Sequence, residues 1–313
     1  MNQPLKRSRT RATPLRRTPV ATLLLALLAL PAWAAPRLTL DASLVWTDPD
    51  PRFGGLSGLA VTDTGRHLLA IGDRGIWVTA ELERDWKGRL TGITRTGLGP
   101  LHGVKGEALD GQTADAEGLA LDPQGRAYIS FERMQRVRRY APIDGPATSL
   151  PGNPAFRKLG ENTGLEALAL DADGTLHAIP ERRPDPGPWI PVYRLRDGKW
   201  IAPLRLPYGG DEFLESDATF GPDGRLYLLE RKFRWLGGFA TRIRSFGRTE
   251  QGFDAGETLL VSRFGELDNM EGISAWRDPE GRIRLTLISD DNFFPLQRTQ
   301  LNEYILTDDA ASG

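Results

Sequence analysis

The chain has 313 residues with 40 Lys/Arg against 41 Asp/Glu, and its first 34 residues carry six of the bases and no acid, leaving 34 − 41 = −7 on the remaining 279. That acidic balance argues against a nucleic-acid partner. The absence of cysteine excludes thiolate chemistry, Cys zinc sites and disulfides, so core burial alone must hold the fold.

Residues 1–34 read as an export segment. Their bases precede an apolar run from Val20 to Leu30 that ends in Ala32, Trp33, Ala34, an A-x-A cleavage pattern. The run is shorter than the about 20 residues a membrane span needs, so the expectation is a periplasmic or secreted protein with no stable span in the mature chain. Arg16 and Arg17 admit a twin-arginine signal, with an ordinary secretory leader as the alternative.

Residues 35–313 are organised by a motif that occurs five times: Leu56–Arg74, Ala116–Arg133, Leu165–Arg182, Glu215–Arg231 and Met270–Asp291. Each copy has an acidic or Gly-rich start, a short apolar strand, an Asp/Pro/Gly turn, a second strand, and an acid near its end, which is the pattern of a β-hairpin. The turn glycines fall at 65, 125, 174, 224 and 281, spaced 60, 49, 50 and 57 apart. Weaker strands follow each hairpin, so most repeats carry about four strands, the content of a propeller blade. The predicted fold is an all-β propeller of five four-stranded blades, with six as the alternative. Leu301–Leu306 and Arg37–Trp46 are expected to close the ring as third and fourth strands of the last blade, which leaves no open edge.

In a hairpin the start of the first strand and the end of the second lie side by side, away from the turn. The strand starts hold Ser57, Glu117, Glu166, Asp217 and Glu271; the strand ends hold Asp73, Glu132, Glu181, Glu230 and Asp290, four of them followed by Arg74, Arg133, Arg182 and Arg231. If first strands line the channel, these groups crowd one mouth of it. Such a ring suits a hard divalent cation, calcium or another, with arginines gripping an anionic substrate. Glu117, Glu166 and Glu271 are the candidate catalytic carboxylates, with His102 the one histidine placed near the ring in sequence. Arg74, Arg133 and Arg231 are the candidate substrate-binding residues. Glu271, Asp290, Asp291, Glu132 and Glu230 are the candidate metal ligands, and the fifth copy, with Asp290, Asp291 and Asn292 in place of acid plus Arg, reads as the exceptional one. The opposing reading is that each acid pairs with a neighbouring Arg and only ties blades together. Ser57, in Gly55-Leu56-Ser57-Gly58-Leu59, lacks the final glycine and the helix of a nucleophile elbow. Trp189, Trp235 and Phe239, in long loops, are candidates for a ligand rim.

Several short motifs in this order, Leu56-Ser57-Gly58-Leu59, Asp115-Ala116-Glu117-Gly118, Gly164-Leu165-Glu166-Ala167-Leu168, Leu229-Glu230-Arg231, Met270-Glu271-Gly272-Ile273 and Ser289-Asp290-Asp291-Asn292-Phe293, resemble those of the phytase-like family, also called the esterase-like activity of phytase family. The resemblance implies an exported propeller that hydrolyses ester or phosphoester bonds, with calcium by analogy to true β-propeller phytases. The Asp-rich stretch of true phytases is replaced by Asp115-Ala116-Glu117-Gly118-Leu119, which argues against phytate itself. A monomer acting on a small anionic or ester substrate is expected. A calcium-dependent lactonase or a non-catalytic ligand- or partner-binding propeller of the cell envelope are the alternatives.

Overall fold

Short apolar strands between Asp/Gly turns bury both faces only if sheets stack on sheets. The computed structural model, which describes residue 1, residues 36–160 and residues 163–307, shows this as five antiparallel sheets arranged as a five-bladed propeller. Residues 1–34, expected from sequence to direct export, lie, apart from the first, outside the described residues. In order from the inside outward, the first blade is Leu56–Thr62, His67–Gly72, Ile76–Arg84 and Leu90–Pro100, and the second is Ala116–Leu121, Ala127–Phe131, Arg136–Tyr140 and Thr148–Ser149. The third is Leu165–Leu170, Leu176–Pro180, Trp189–Arg196 and Lys199–Pro207, and the fourth is Leu214–Phe220, Leu226–Arg234, Gly238–Phe246 and Glu257–Val261. The fifth joins Asn269–Arg277, Ile283–Asp290 and Gln300–Thr307 to Arg37–Val45. A small hairpin, Arg248–Thr249 with Gly252–Phe253, extends the third blade outward. No sixth sheet occurs among the described residues, and their helical content is three short 3₁₀ stretches. Among the same residues no helix is long and apolar enough to cross a membrane.

Closure follows the expected route. Arg37 lies opposite Thr307 and Val45 opposite Gln300, so the first strand in the chain completes the last blade. The core is divided into five apolar clusters, each shared by two adjacent blades; Leu59 and Ile76 of the first blade, for example, pack with Trp276 and Ile288 of the fifth. Fully burying one such side chain contributes about 1.5–3 kcal/mol, so the blade-to-blade contacts carry the fold.

The turn acids are structural, as their recurrence implied. Asp122 accepts from the backbone N–H of Gln124 and Arg126, Asp171 from Asp173 and Thr175, and Asp278 from Arg282. Each turn then places glycine in the left-handed region that its lack of Cβ permits, as at Gly125, with φ 77°.

The inner strands touch one another around the axis. A Cβ added to Gly58 would lie 2.8 Å from the Glu117 carbonyl oxygen, and one added to Gly272 would lie 3.0 Å from Leu59 Cβ. Glycine at this position lets neighbouring blades approach at the centre. The fourth blade has Asp217 there instead. Its fully buried carboxylate accepts from the Ile273 backbone N–H of the next blade at 2.9 Å and from its own neighbour Ala218.

Candidate functional site

Every inner strand carries a β-bulge just inside its start. The pairing skips from Leu56 to Gly58, from Ala116 to Leu119, from Leu165 to Ala167, from Glu215 to Asp217 and from Met270 to Gly272. A bulge re-aims the side chain it leaves unpaired. In the first, third, fourth and fifth blades that residue is Ser57, Glu166, Ser216 and Glu271, and in the second the skip contains Glu117.

This register corrects two expectations. In the fourth blade Ser216, not Asp217, takes the bulge position. Glu215 pairs with Glu230 as Met270 pairs with Ser289 and Leu165 with Pro180, so the strand-end place held elsewhere by Asp73, Glu132, Glu181 and Asp290 belongs to Arg231. The exceptional blade is therefore the fourth, and Asp290 falls in line with the other acids. Seven carboxyls, two serines and one guanidinium occupy the ten positions.

The electrostatics follow from that count. Arg231 hydrogen-bonds Glu271 and the Asn269 side-chain Oδ1 (3.0 Å) and lies 3.7 Å from Glu181. The remaining acids face one another. Burial first, then the charges of Asp115 and Glu132, push the Glu117 carboxyl well above its ordinary value. Burial and the neighbouring Glu117 do the same to Glu166. Asp290 is pushed up to about 7 by burial, with Asp73 and Asp291 adding to it, and Asp73 to about 6 by burial and then Asp115. Burial also raises Glu181, against the pull of Arg231. Acids of four different blades thus share one space that a single internal arginine does not neutralise.

The densest part of the ring is in the second blade. Asp115, Glu117 and Glu132 each present an oxygen, and these oxygens lie within 4.8 Å of one another. Asp115 also accepts from Arg133 Nε at 2.6 Å, and Glu132 accepts from the Gly164 backbone N–H at 2.7 Å, which fixes both carboxylates from behind.

The sequence profile of the phytase-like family, described as esterase-like activity of phytase, matches residues 51–293. The chain belongs to the phytase-like family. No curated protein matches it. Among solved structures, this phytase-like chain is similar to the catalytic domain of the GH62 α-L-arabinofuranosidase of Coprinopsis cinerea, at 15% identity and TM-score 0.53, over 89% of this chain and 98% of that one. It is similar too to an α-L-arabinofuranosidase of Podospora anserina, at 14% identity and TM-score 0.53, over 88% and 97%. At such identities the likeness speaks for the fold alone.

The other residues singled out in the phytase-like sequence are placed as follows. Glu230 lies outside the ring: it is fully buried and clamped by Arg242 (2.6 and 2.9 Å) and Arg244 (2.9 and 2.6 Å). Asp291 closes the loop between the first and fifth blades, accepting from Gly55 N (3.0 Å), Phe293 N (3.1 Å) and Thr299 Oγ1 (3.2 Å). Arg74 stacks on Phe293, its guanidinium carbon 3.2 Å from the ring centroid. His102 bridges Ala108 and its carbonyl accepts from the Tyr140 hydroxyl at 3.0 Å, on the side of the second blade's third strand. Ser57 donates to the Ala116 carbonyl at 2.5 Å. Asp115 was not among the candidates, although its place directly before a strand-start acid, in Asp115-Ala116-Glu117, was the available signal.

Proposed function

We propose that this phytase-like protein is an exported hydrolase of ester or phosphoester bonds that works with a divalent cation, calcium first, at the mouth of the propeller. The observation that carries the reading is the Asp115, Glu117 and Glu132 triad, with its oxygens within 4.8 Å of one another. Calcium–oxygen bonds of about 2.3–2.6 Å give a shell about 5 Å across, so one such ion fits against all three. An all-oxygen donor set suits calcium, magnesium or manganese better than zinc.

A cation held by Asp115, Glu117 and Glu132 would supply Lewis acidity and make a nearby water more acidic. The chain's own groups supply the rest. Arg133 holds Asp115 in place, and with Arg74 and Arg231 it offers cationic character to a phosphate or to the negative charge that develops on the reacting oxygen. Asp290, pushed up to about 7, exchanges a proton readily near neutral pH and suits a general base. Glu166, whose carboxyl burial and the neighbouring Glu117 push well above its ordinary value, suits a general acid that protonates the departing alkoxide. Export rests on the basic segment and the Val20–Leu30 run; finding the shortened chain in periplasm or medium tests it.

Calcium is expected to raise the melting temperature, EDTA to reverse this, and p-nitrophenyl acetate or phosphate to turn over in a calcium-dependent way. No response of either stability or turnover to calcium removes the cation from the proposal. Calcium binding without turnover of either ester replaces hydrolysis by ligand binding at the same mouth.

A further inference from the structure

The fourth blade does more than interrupt the ring. Its second and third strands continue past Arg231 through the pairs Lys232–Ala240, Phe233–Phe239 and Arg234–Gly238, so this hairpin rises above the ring position. Facing it is the segment that follows Asp290 and Asp291. Between them lies a cavity of about 870 Å³ walled by Phe233, Trp235, Phe239, Phe294 and Leu296. That size falls in the range of small-molecule sites, roughly 300–1,000 Å³.

The walls are apolar groups left in solvent. Trp235 is 88% exposed and Leu296 83%, with Phe233, Leu236 and Phe294 also exposed, and such a concentration on one rim marks a contact surface rather than scatter. Phe233 and Phe239 pack as a tilted pair with centroids 5.0 Å apart, which gives the groove a formed wall. Both walls run directly into the site: one is the strand that carries Arg231, the other the segment that follows Asp290, and the floor at Leu267–Asp268 leads into Asn269, which Arg231 touches.

We propose that this groove is the subsite for the apolar part of the substrate, an acyl chain or aryl group attached to the ester bond that lies over the carboxylates. The assignment rests on the hydrolase reading above and narrows it: the substrate is amphipathic, with one end at the ring and an apolar tail between Trp235 and Leu296. A small polyanion has no use for these walls, and the two acids Glu266 and Asp268 outnumber the one lining cation, Arg298. The apolar tail also fixes the orientation of the reacting bond, because only one end of such a molecule suits each region.

The test compares p-nitrophenyl octanoate with p-nitrophenyl acetate in the full chain with calcium. The intact protein should prefer octanoate in kcat/KM by at least roughly tenfold, since single methylenes in a pocket are worth about that much. Trp235→Ala and Leu296→Ala should remove the preference through KM, whereas Trp86→Ala, an exposed tryptophan outside the groove, should keep it. Acetate hydrolysis without a chain-length preference, or a preference that survives both substitutions, overturns the groove and leaves the hydrolase standing. If neither ester turns over, calorimetric titration with sodium octanoate decides: heat of binding that Trp235→Ala abolishes supports the groove, and no heat overturns it. Co-sedimentation with phosphatidylcholine vesicles that needs Trp235, without octanoate binding, assigns the surface to a membrane and overturns the proposal.

Discussion

Two carboxylate clusters sit at opposite ends of the propeller and are treated in opposite ways. On the turn side, Glu303 is fully buried, accepts from Arg84 at 2.7 and 2.6 Å, and lies 3.6 Å from Arg284, which also donates to Asp41 and Asp278. Burial works against ionisation of Asp278, yet Arg284 and Arg282 outweigh it and hold the carboxyl below its usual range. At the mouth, Glu117, Glu166, Asp73 and Asp290 are raised instead. Of these two clusters, the one on the turn side is paired with arginines, and the one at the mouth, where a ligand is proposed to enter, is left under-compensated.

The comparison breaks first at its paired end. Glu303→Ala removes the one carboxylate that Arg84 holds in a buried pair, and should cost about 3–5 kcal/mol in denaturant unfolding; a loss below about 1 kcal/mol would mean that the turn side is no better compensated than the mouth. Glu117→Gln should act in the opposite direction on stability, raising the metal-free melting temperature while abolishing the calcium response. It should also lower turnover roughly 10²-fold, the scale of one lost electrostatic group. Retained activity would move the reaction away from the triad.

The pH dependence sharpens the same contrast. Asp290 and Asp73 have folded values of about 7 and about 6 against an ordinary 3.8, so the folded state binds their protons more tightly than the unfolded chain does. Their contribution is present below the ordinary value and is lost as pH rises through about 6 and about 7. Metal-free protein should therefore lose stability across that window, calcium should stabilise increasingly over it, and Asp290→Asn should flatten the upper part; a melting temperature constant from pH 4 to 8 would contradict this. The smallest effect belongs to the turns. Asp122→Ala removes acceptors for two backbone N–H groups and should cost about 1 kcal/mol, with turnover unchanged.

The blade count and the ring closure were legible because Asp/Gly turns and alternating apolar residues repeat, and because Arg37–Val45 had no other partner. The ring positions of four blades were legible for the same reason. The fourth was displaced by one residue because Glu215, Asp217 and Glu230 look like the acids of other repeats, while the bulge that decides which of them faces the channel lies in the strand pairing and leaves no mark in composition. That slip hid the place of Arg231 among the acids. Asp115 was passed over because it precedes its strand, and the aromatic rim was only half visible: Trp235 and Phe239 share the groove, whereas Trp189 lines a proline-rich hollow of the third blade.

The pairing of Arg37–Val45 with Gln300–Thr307 also sets an order of events. Among the described strands the first waits for the last, so four blades can take shape while the fifth still lacks half its sheet. Contacts this distant in sequence form slowly and late. A chain cut before residue 300 has an open ring and a bare edge on Ile283–Asp290, the strand that delivers Asp290 to the mouth; closing the ring and finishing the wall of that mouth are one step.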